Sequence, residues 1–146
     1  MDKQISSLSG VLLIAGIIEF AVGLLHFAMP AFAYRSKGFS LLRADEINFV
    51  TLLIFAVGIL LMAFGWLTIF LSRKVEPLIE FIHIYVLIKI VLWSGRVFLE
   101  ILYPVNLNMF YVEPFTVVVL PGLIVEWFLF VVSIVLIKKI MVTAKV

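Results

Sequence analysis

Four apolar stretches constrain the fold of this chain more than any other feature of its sequence. They cover about residues 11–32, 49–71, 78–102 and 115–137. Each is long enough to cross a hydrocarbon layer of roughly 30 Å as a helix. Because lipid offers the backbone no hydrogen-bond partners, a segment that crosses it must be helical. The sequence therefore predicts an all-α, polytopic membrane protein, with residues 1–146 forming one membrane domain and a bundle of four transmembrane helices.

Composition points to the lipid bilayer as the main partner of the chain. Of its 146 residues, 65% are hydrophobic and only 14% are charged, whereas soluble domains average about a quarter charged. The absence of cysteine excludes disulfides, thiolate metal sites and cysteine nucleophiles. Lys and Arg are scattered, which argues against nucleic acid as a partner.

The basic residues predict an orientation. With four spans, the two termini and the turn at 72–77 share one side, which carries Lys3, Arg73, Lys74, Lys138, Lys139 and Lys145. The other side carries only Arg35, Lys37 and Arg43. The positive-inside rule then places both termini in the cytoplasm, and we expect the plasma (inner) membrane. Pro30 and the polar residues after it are predicted to end the first helix.

Three ionisable residues fall near the middle of predicted spans. Glu19 lies in the first span, Lys89 in the third and Glu126 in the fourth. A lone charge at the bilayer centre costs about 2.5–3.5 kcal/mol even on insertion scales. We therefore expect the three side chains to face one another inside the bundle, where Lys89 can reach either Glu19 or Glu126.

Helical periodicity adds residues to this predicted cluster. His26 lies seven residues after Glu19 and shares its face, and Gly23 on the same stripe leaves room for a ligand or another helix. On the third span, Arg96 and Glu100 form an i,i+4 pair. The predicted cluster opens toward the outer side and comprises Glu19, Gly23, His26, Lys89, Trp93, Arg96, Glu100 and Glu126. Its three carboxylates outnumber its two cations by one, so His26 or a carboxyl group is expected to hold a proton.

Two other features have simpler interpretations. The second span has no ionisable residue, and Gly58 with Gly65 offers a smooth face for helix packing, so we predict a scaffold role. Glu80 and His83 form half of a di-metal motif, but a second copy is missing and they lie opposite Lys89. No metal site is predicted there.

The segment GLLHFAMPAF at residues 23–32 resembles the G-x-x-H-F-x-x-P-x-F signature of DoxX-like small membrane proteins. Those are four-helix proteins of about this length, and some are linked to quinone-coupled oxidation of sulfur compounds. The resemblance implies that Gly23, His26, Phe27 and Pro30 line a site. Lys89 and Glu126 are not part of that pattern.

The sequence leaves several functions open. The first hypothesis is a site for a quinone or another small amphiphile, with proton exchange and with quinone as the candidate cofactor. The second is a non-catalytic accessory subunit of a larger membrane complex or a homo-oligomer. A small transporter or channel is disfavoured, because four helices enclose little space. The polar cluster could also be a structural network that fixes helix register without any ligand.

Overall fold

The computed structural model describes residues 2–34, 37–102 and 115–143. These residues form five helices and no strand: α1 Asp2–Ala33, α2 Lys37–Ser40, α3 Ala44–Ser72, α4 Ile79–Leu102 and α5 Phe115–Thr143. All but α2 are long and apolar enough to cross a membrane. The predicted fold class, an all-α bundle with four membrane-spanning helices, is confirmed. Arg35 and Lys145, which both entered the charge count, lie outside the described residues.

Most helices extend beyond the predicted spans. Helix α1 continues to Ala33 with Pro30 inside it and ends just before the polar residues that start at Tyr34, within one residue of the predicted boundary. A proline inside a helix removes one i→i−4 hydrogen bond, and α1 ends three residues after Pro30. The carbonyl of Pro30 still accepts a hydrogen bond from the N–H of Tyr34 at 3.0 Å. Helix α3 begins earlier than predicted, where the N–H of Arg43 donates to the Glu46 carboxylate at 2.8 Å.

Helix α1 packs most closely on α3, and glycines make this close approach possible. Gly16 faces Gly65, and a Cβ atom added at Gly65 would lie 2.8 Å from the carbonyl oxygen of Gly16 and 2.5 Å from the backbone nitrogen of Phe20. Gly58 meets the backbone of Gly23 in the same way. The prediction that Gly58 and Gly65 provide a face for helix packing is confirmed.

The other contacts complete a bundle with two unlike halves. Helix α5 packs against both α1 and α4. The packed half contains the start of α1, the turn at 73–78 and the end of α5. It is filled by a cluster of buried apolar side chains that includes Leu8, Leu12, Leu71, Val75, Ile82, Ile137 and Ile140. The open half contains the end of α1, α2 and the start of α3, and it holds the candidate site.

The outer faces of the long helices are apolar. On α3 the side chains of Leu52, Leu60 and Trp66 are each more than half exposed. Exposed apolar surface on this scale is costly in water and favourable in hydrocarbon. These faces therefore suit an integral membrane protein in contact with lipid.

Candidate functional site

A buried ion pair lies at the centre of the bundle. The Nζ atom of Lys89 on α4 donates a hydrogen bond to Oε1 of Glu19 on α1, and both side chains are almost fully buried. Three aromatic rings surround the ammonium group, with centroids 4.8 to 5.8 Å from Nζ: those of Phe64, Phe130 and Trp93. Such rings attract a cation through their negative faces. The sequence left Glu19 and Glu126 as possible partners of Lys89, and the structure shows the pair with Glu19.

The carboxyl group of Glu126 on α5 has no such partner. Its side chain is only 2% exposed, yet neither of its oxygens makes a hydrogen bond with any described residue. Oε2 of Glu19 is also buried without a hydrogen-bond partner. Three carboxylate oxygens are thus buried and unsatisfied near the ion pair, in a region where such groups normally find partners.

These carboxyl groups line a cavity of about 250 Å³ among the four long helices. Its wall is mostly aliphatic, and the lining residues are Ile18, Glu19, Val22, Leu25, His26, Met29, Val57, Leu61, Trp93, Arg96, Gly122, Leu123 and Glu126. An apolar cavity of about 150 Å³ is enough to bind benzene. The cavity can therefore hold a six-membered ring with substituents, and its acidic groups lie at the end nearest the packed half.

Toward the open half, His26 and Arg96 follow along the cavity. Nδ1 of His26 lies 2.8 Å from the carbonyl oxygen of Val22. Because a carbonyl oxygen only accepts hydrogen bonds, Nδ1 carries the hydrogen, and Nε2 is the nitrogen left for another partner. Nη1 of Arg96 lies 2.5 Å from Oε2 of Glu100. The predicted i,i+4 pair is therefore formed, and it neutralises the Arg96 guanidinium.

The structure places most of the predicted cluster in one region. Five of its members line the cavity, namely Glu19, His26, Trp93, Arg96 and Glu126. Lys89 and Glu100 are each ion-paired to one of these. Gly23 does not line the cavity, since a Cβ atom there would lie 2.7 Å from the backbone nitrogen of Met62 on α3. Gly23 was expected to leave room for either a ligand or another helix, and the structure shows that it leaves room for helix α3.

The sequence analysis missed a polar contact between α3 and α4. Oγ1 of Thr68 donates to the carbonyl of Phe64 at 2.8 Å and lies 2.7 Å from the hydroxyl of Tyr85. Both side chains are buried. The signal was available, because Thr68 is a rare polar residue in an apolar span and follows Gly65 by one helical turn. Helix α3 also lines the cavity with Val57 and Leu61, so it is more than a scaffold.

A hydrogen bond between Nε1 of Trp127 and Oγ of Ser94, at 2.9 Å, joins α5 to α4 beside the cavity. The two residues with metal-ligand spacing lie elsewhere, with Glu80 exposed and His83 half-buried. Within the described residues there is no group of three or more His, Asp or Glu side chains that could hold a metal ion.

No protein family, no curated protein and no solved structure matches this chain. The resemblance to DoxX-like proteins therefore stays a prediction.

Proposed function

We propose that this protein binds a small amphiphile in the cavity between its helices and exchanges a proton with it or with water at Glu126. A quinone is one ligand of this type. The observation that carries the proposal is a buried carboxyl group, without a hydrogen-bond partner, lining an apolar cavity. Apolar pockets with a few convergent polar groups are the usual form of small-molecule sites.

A purely structural role for the polar cluster explains less. The ion pair between Lys89 and Glu19 would be sufficient to link two helices, and it leaves Glu126 out. An unsatisfied buried polar group costs about 1–3 kcal/mol. A ligand that occupies the cavity and bonds to Glu126 offsets this cost.

The position of the charges also supports a site contained within one chain. Glu19, Lys89 and Glu126 are all buried inside the bundle. A subunit that used these charges to recognise a partner helix would present at least one of them on its outer surface. An accessory role in a larger complex is therefore the second proposal, and it predicts other subunits in the purified sample.

The test is a titration of the purified protein, in lipid nanodiscs, with a short-chain benzoquinone. Trp93 lines the cavity, so a bound quinone should quench tryptophan fluorescence in a saturable way, and Trp93→Phe should remove most of that quenching. Native mass spectrometry of the same sample measures any co-purified small molecule or subunit.

A matched pair of glycine variants makes this test specific to the cavity. Gly122 lines the cavity, and a Cβ atom there would meet no described atom within 4 Å, so Gly122→Leu should fold and fill the space. Gly95 on α4 has equally open surroundings but lies outside the cavity lining. Saturable quenching should be lost in Gly122→Leu and kept in Gly95→Leu. Quenching that does not saturate, or that is equal in the two variants, would overturn the proposal.

A further inference from the structure

We infer that the ligand of this cavity is an amphiphile with a protonated amine at its polar end, and that the ammonium group replaces a proton at Glu126. The inference rests on the proposed function, because it assumes that the cavity takes a small amphiphile. It adds the chemical class of that ligand and the number of protons that are released when one ligand binds.

The first argument is the kind of polar atom that the cavity leaves unsatisfied. Three oxygens at its acidic end are buried without hydrogen-bond partners in the described part of the chain, two of Glu126 and one of Glu19. Once Glu126 has given up its proton, all three are acceptors. A complementary ligand must therefore supply hydrogen-bond donors, and an ammonium group carries three.

The second argument is that no donor of the described residues reaches these oxygens, since each nearby donor group is held by another partner. Lys89 donates to Glu19, and the guanidinium of Arg96 is paired with Glu100. Nδ1 of His26 donates to the backbone of its own helix. A ligand whose polar group is a bare carbonyl, such as an oxidised quinone, could accept one hydrogen bond from a protonated Glu126 but would leave the other two oxygens without a donor. A ligand with N–H donors would meet partners.

The third argument is charge. Glu19 is balanced by Lys89 and Glu100 by Arg96, so Glu126 is the acid left over. An unpaired charge in a low-dielectric interior is costly, and it is relieved either by a proton or by a cation. A ligand with a single positive charge restores neutrality, and Trp93 adds an aromatic wall that favours a cation.

The groups that act electrostatically on Glu126 come from two helices. Glu19 on α1 disfavours a negative charge on Glu126, and Lys89 on α4 favours it. His26 on α1 and Arg96 on α4 line the same cavity further along. The residues that α3 contributes, Val57 and Leu61, are apolar. Glu126 is thus the acid of this cavity that has no cation beside it, and His26 is the other titratable side chain here without an ion pair.

The proton balance is simple. One ammonium ion enters the cavity, and one proton leaves the carboxyl group of Glu126 for the buffer, so the net charge of the site does not change. A proton and the amine therefore compete for the same carboxyl group. Amine binding should weaken as the pH is lowered, and binding of a neutral ligand of the same shape should not release a proton.

The experiment is isothermal titration of the nanodisc-embedded protein with 4-phenylbutylamine and, as the matched neutral ligand, 4-phenylbutan-1-ol. Titration in two buffers of different ionisation enthalpy counts the protons released. The amine should bind at least about tenfold more tightly than the alcohol at pH 8 and release a fraction of one proton that rises toward one as the pH is lowered, whereas the alcohol should release none. The variant Glu126→Gln should weaken binding of the amine by a similar factor and leave binding of the alcohol nearly unchanged.

Two further variants complete the experiment. Glu80→Gln is the control, because it removes an exposed carboxylate that does not line the cavity, and it should bind the amine like the parent. His26→Gln alters the cavity lining, so its affinity for the amine is not a control, but the amine that it binds should still release a proton because the proton comes from Glu126. Loss of that release in His26→Gln, or amine binding that Glu126→Gln leaves intact, would overturn the inference.

The quinone titration separates this inference from the proposed function. If the quinone saturates the cavity and the amine does not bind, the cavity site stands and the amine inference is wrong. If neither ligand binds, both are wrong. Tight, Glu126-dependent amine binding together with saturable but weaker quinone binding supports both the cavity site and the amine inference.

Discussion

The ammonium group of Lys89 on α4 meets the carboxylate of Glu19 on α1 across the centre of the bundle, 70 residues apart in the chain. The backbone of α1 packs on α3 and α5, and that of α4 packs on α5. This ion pair is therefore a direct link between two helices that are also connected through α5 and, by the contact between Thr68 and Tyr85, through α3. It also holds one oxygen of Glu19 beside the cavity.

Lys89→Met should destabilise the fold strongly. Removing one partner of a buried ion pair typically costs about 3–5 kcal/mol, because the other charge stays buried without compensation. Glu19 and Glu126 would then repel each other when both are ionised. The loss should consequently be larger at pH 8 than at pH 5, as measured by thermal unfolding in detergent.

The double variant Lys89→Met/Glu19→Gln should recover more stability than Lys89→Met/Glu126→Gln, since Glu19 is the direct partner. Lys74→Met, at an exposed lysine of the turn, is the control and should melt like the parent. Equal recovery in the two double variants would show that the pair with Glu19 is not the stabilising contact.

Gly65→Ala should destabilise the contact between α1 and α3, although alanine is the better helix former. The added methyl group would lie 2.5 Å from the backbone of Phe20, and overpacking of this kind costs about 1–3 kcal/mol. Gly95→Ala introduces the same group where no described atom lies within 4 Å. It should be neutral or stabilising by up to about 1 kcal/mol. Thermal unfolding of the two variants side by side tests the prediction, which fails if Gly65→Ala is the more stable.

The central cluster could be predicted from the sequence because the cost of a charge in a membrane span can be judged from the position of each residue alone. A charge in a membrane span must be compensated, so the depths of Glu19, Lys89 and Glu126 were enough to bring them together. Whether Lys89 pairs with Glu19 or with Glu126 depends on how the helices rotate and pack, and the depth of a residue in its span does not give this information. The cavity could not be predicted for the same reason. Its wall is made of ordinary aliphatic residues such as Val57 and Leu123, which look like any other residues of a membrane span.

Tyr85→Phe should cost about 0.5–1.5 kcal/mol, the usual net value of one hydrogen bond. The hydroxyl of Thr68 keeps its bond to the carbonyl of Phe64, so no new buried donor is left without a partner. Thr68→Val removes the other hydroxyl and leaves Tyr85 a bond to Phe64 at 3.2 Å. Both variants should therefore unfold slightly below the parent in the same detergent melt. A loss above about 3 kcal/mol in Tyr85→Phe would show a larger role for the tyrosine hydroxyl than this geometry supports.

The proposed cytoplasmic location of both termini can be tested with introduced cysteines. The chain has none of its own. Cysteine at Ser6, exposed in the packed half, should be protected from a membrane-impermeant thiol reagent in intact cells. Cysteine at Leu41, which is 72% exposed beyond the end of α2, should react. The reverse labelling pattern would show that the termini lie on the outer side of the membrane.

The glycine contacts between α1 and α3 have a mechanical consequence. Two backbones in direct contact cannot slide or roll against each other without collision, so these helices form one rigid arm. Helices α4 and α5, tied by the bond between Trp127 and Ser94, form a second arm. The packed half holds the two arms together at one end, and the ion pair between Lys89 and Glu19 holds them together at the centre. A guest larger than the cavity would therefore have to separate the two arms beyond that ion pair, with each arm moving as a unit.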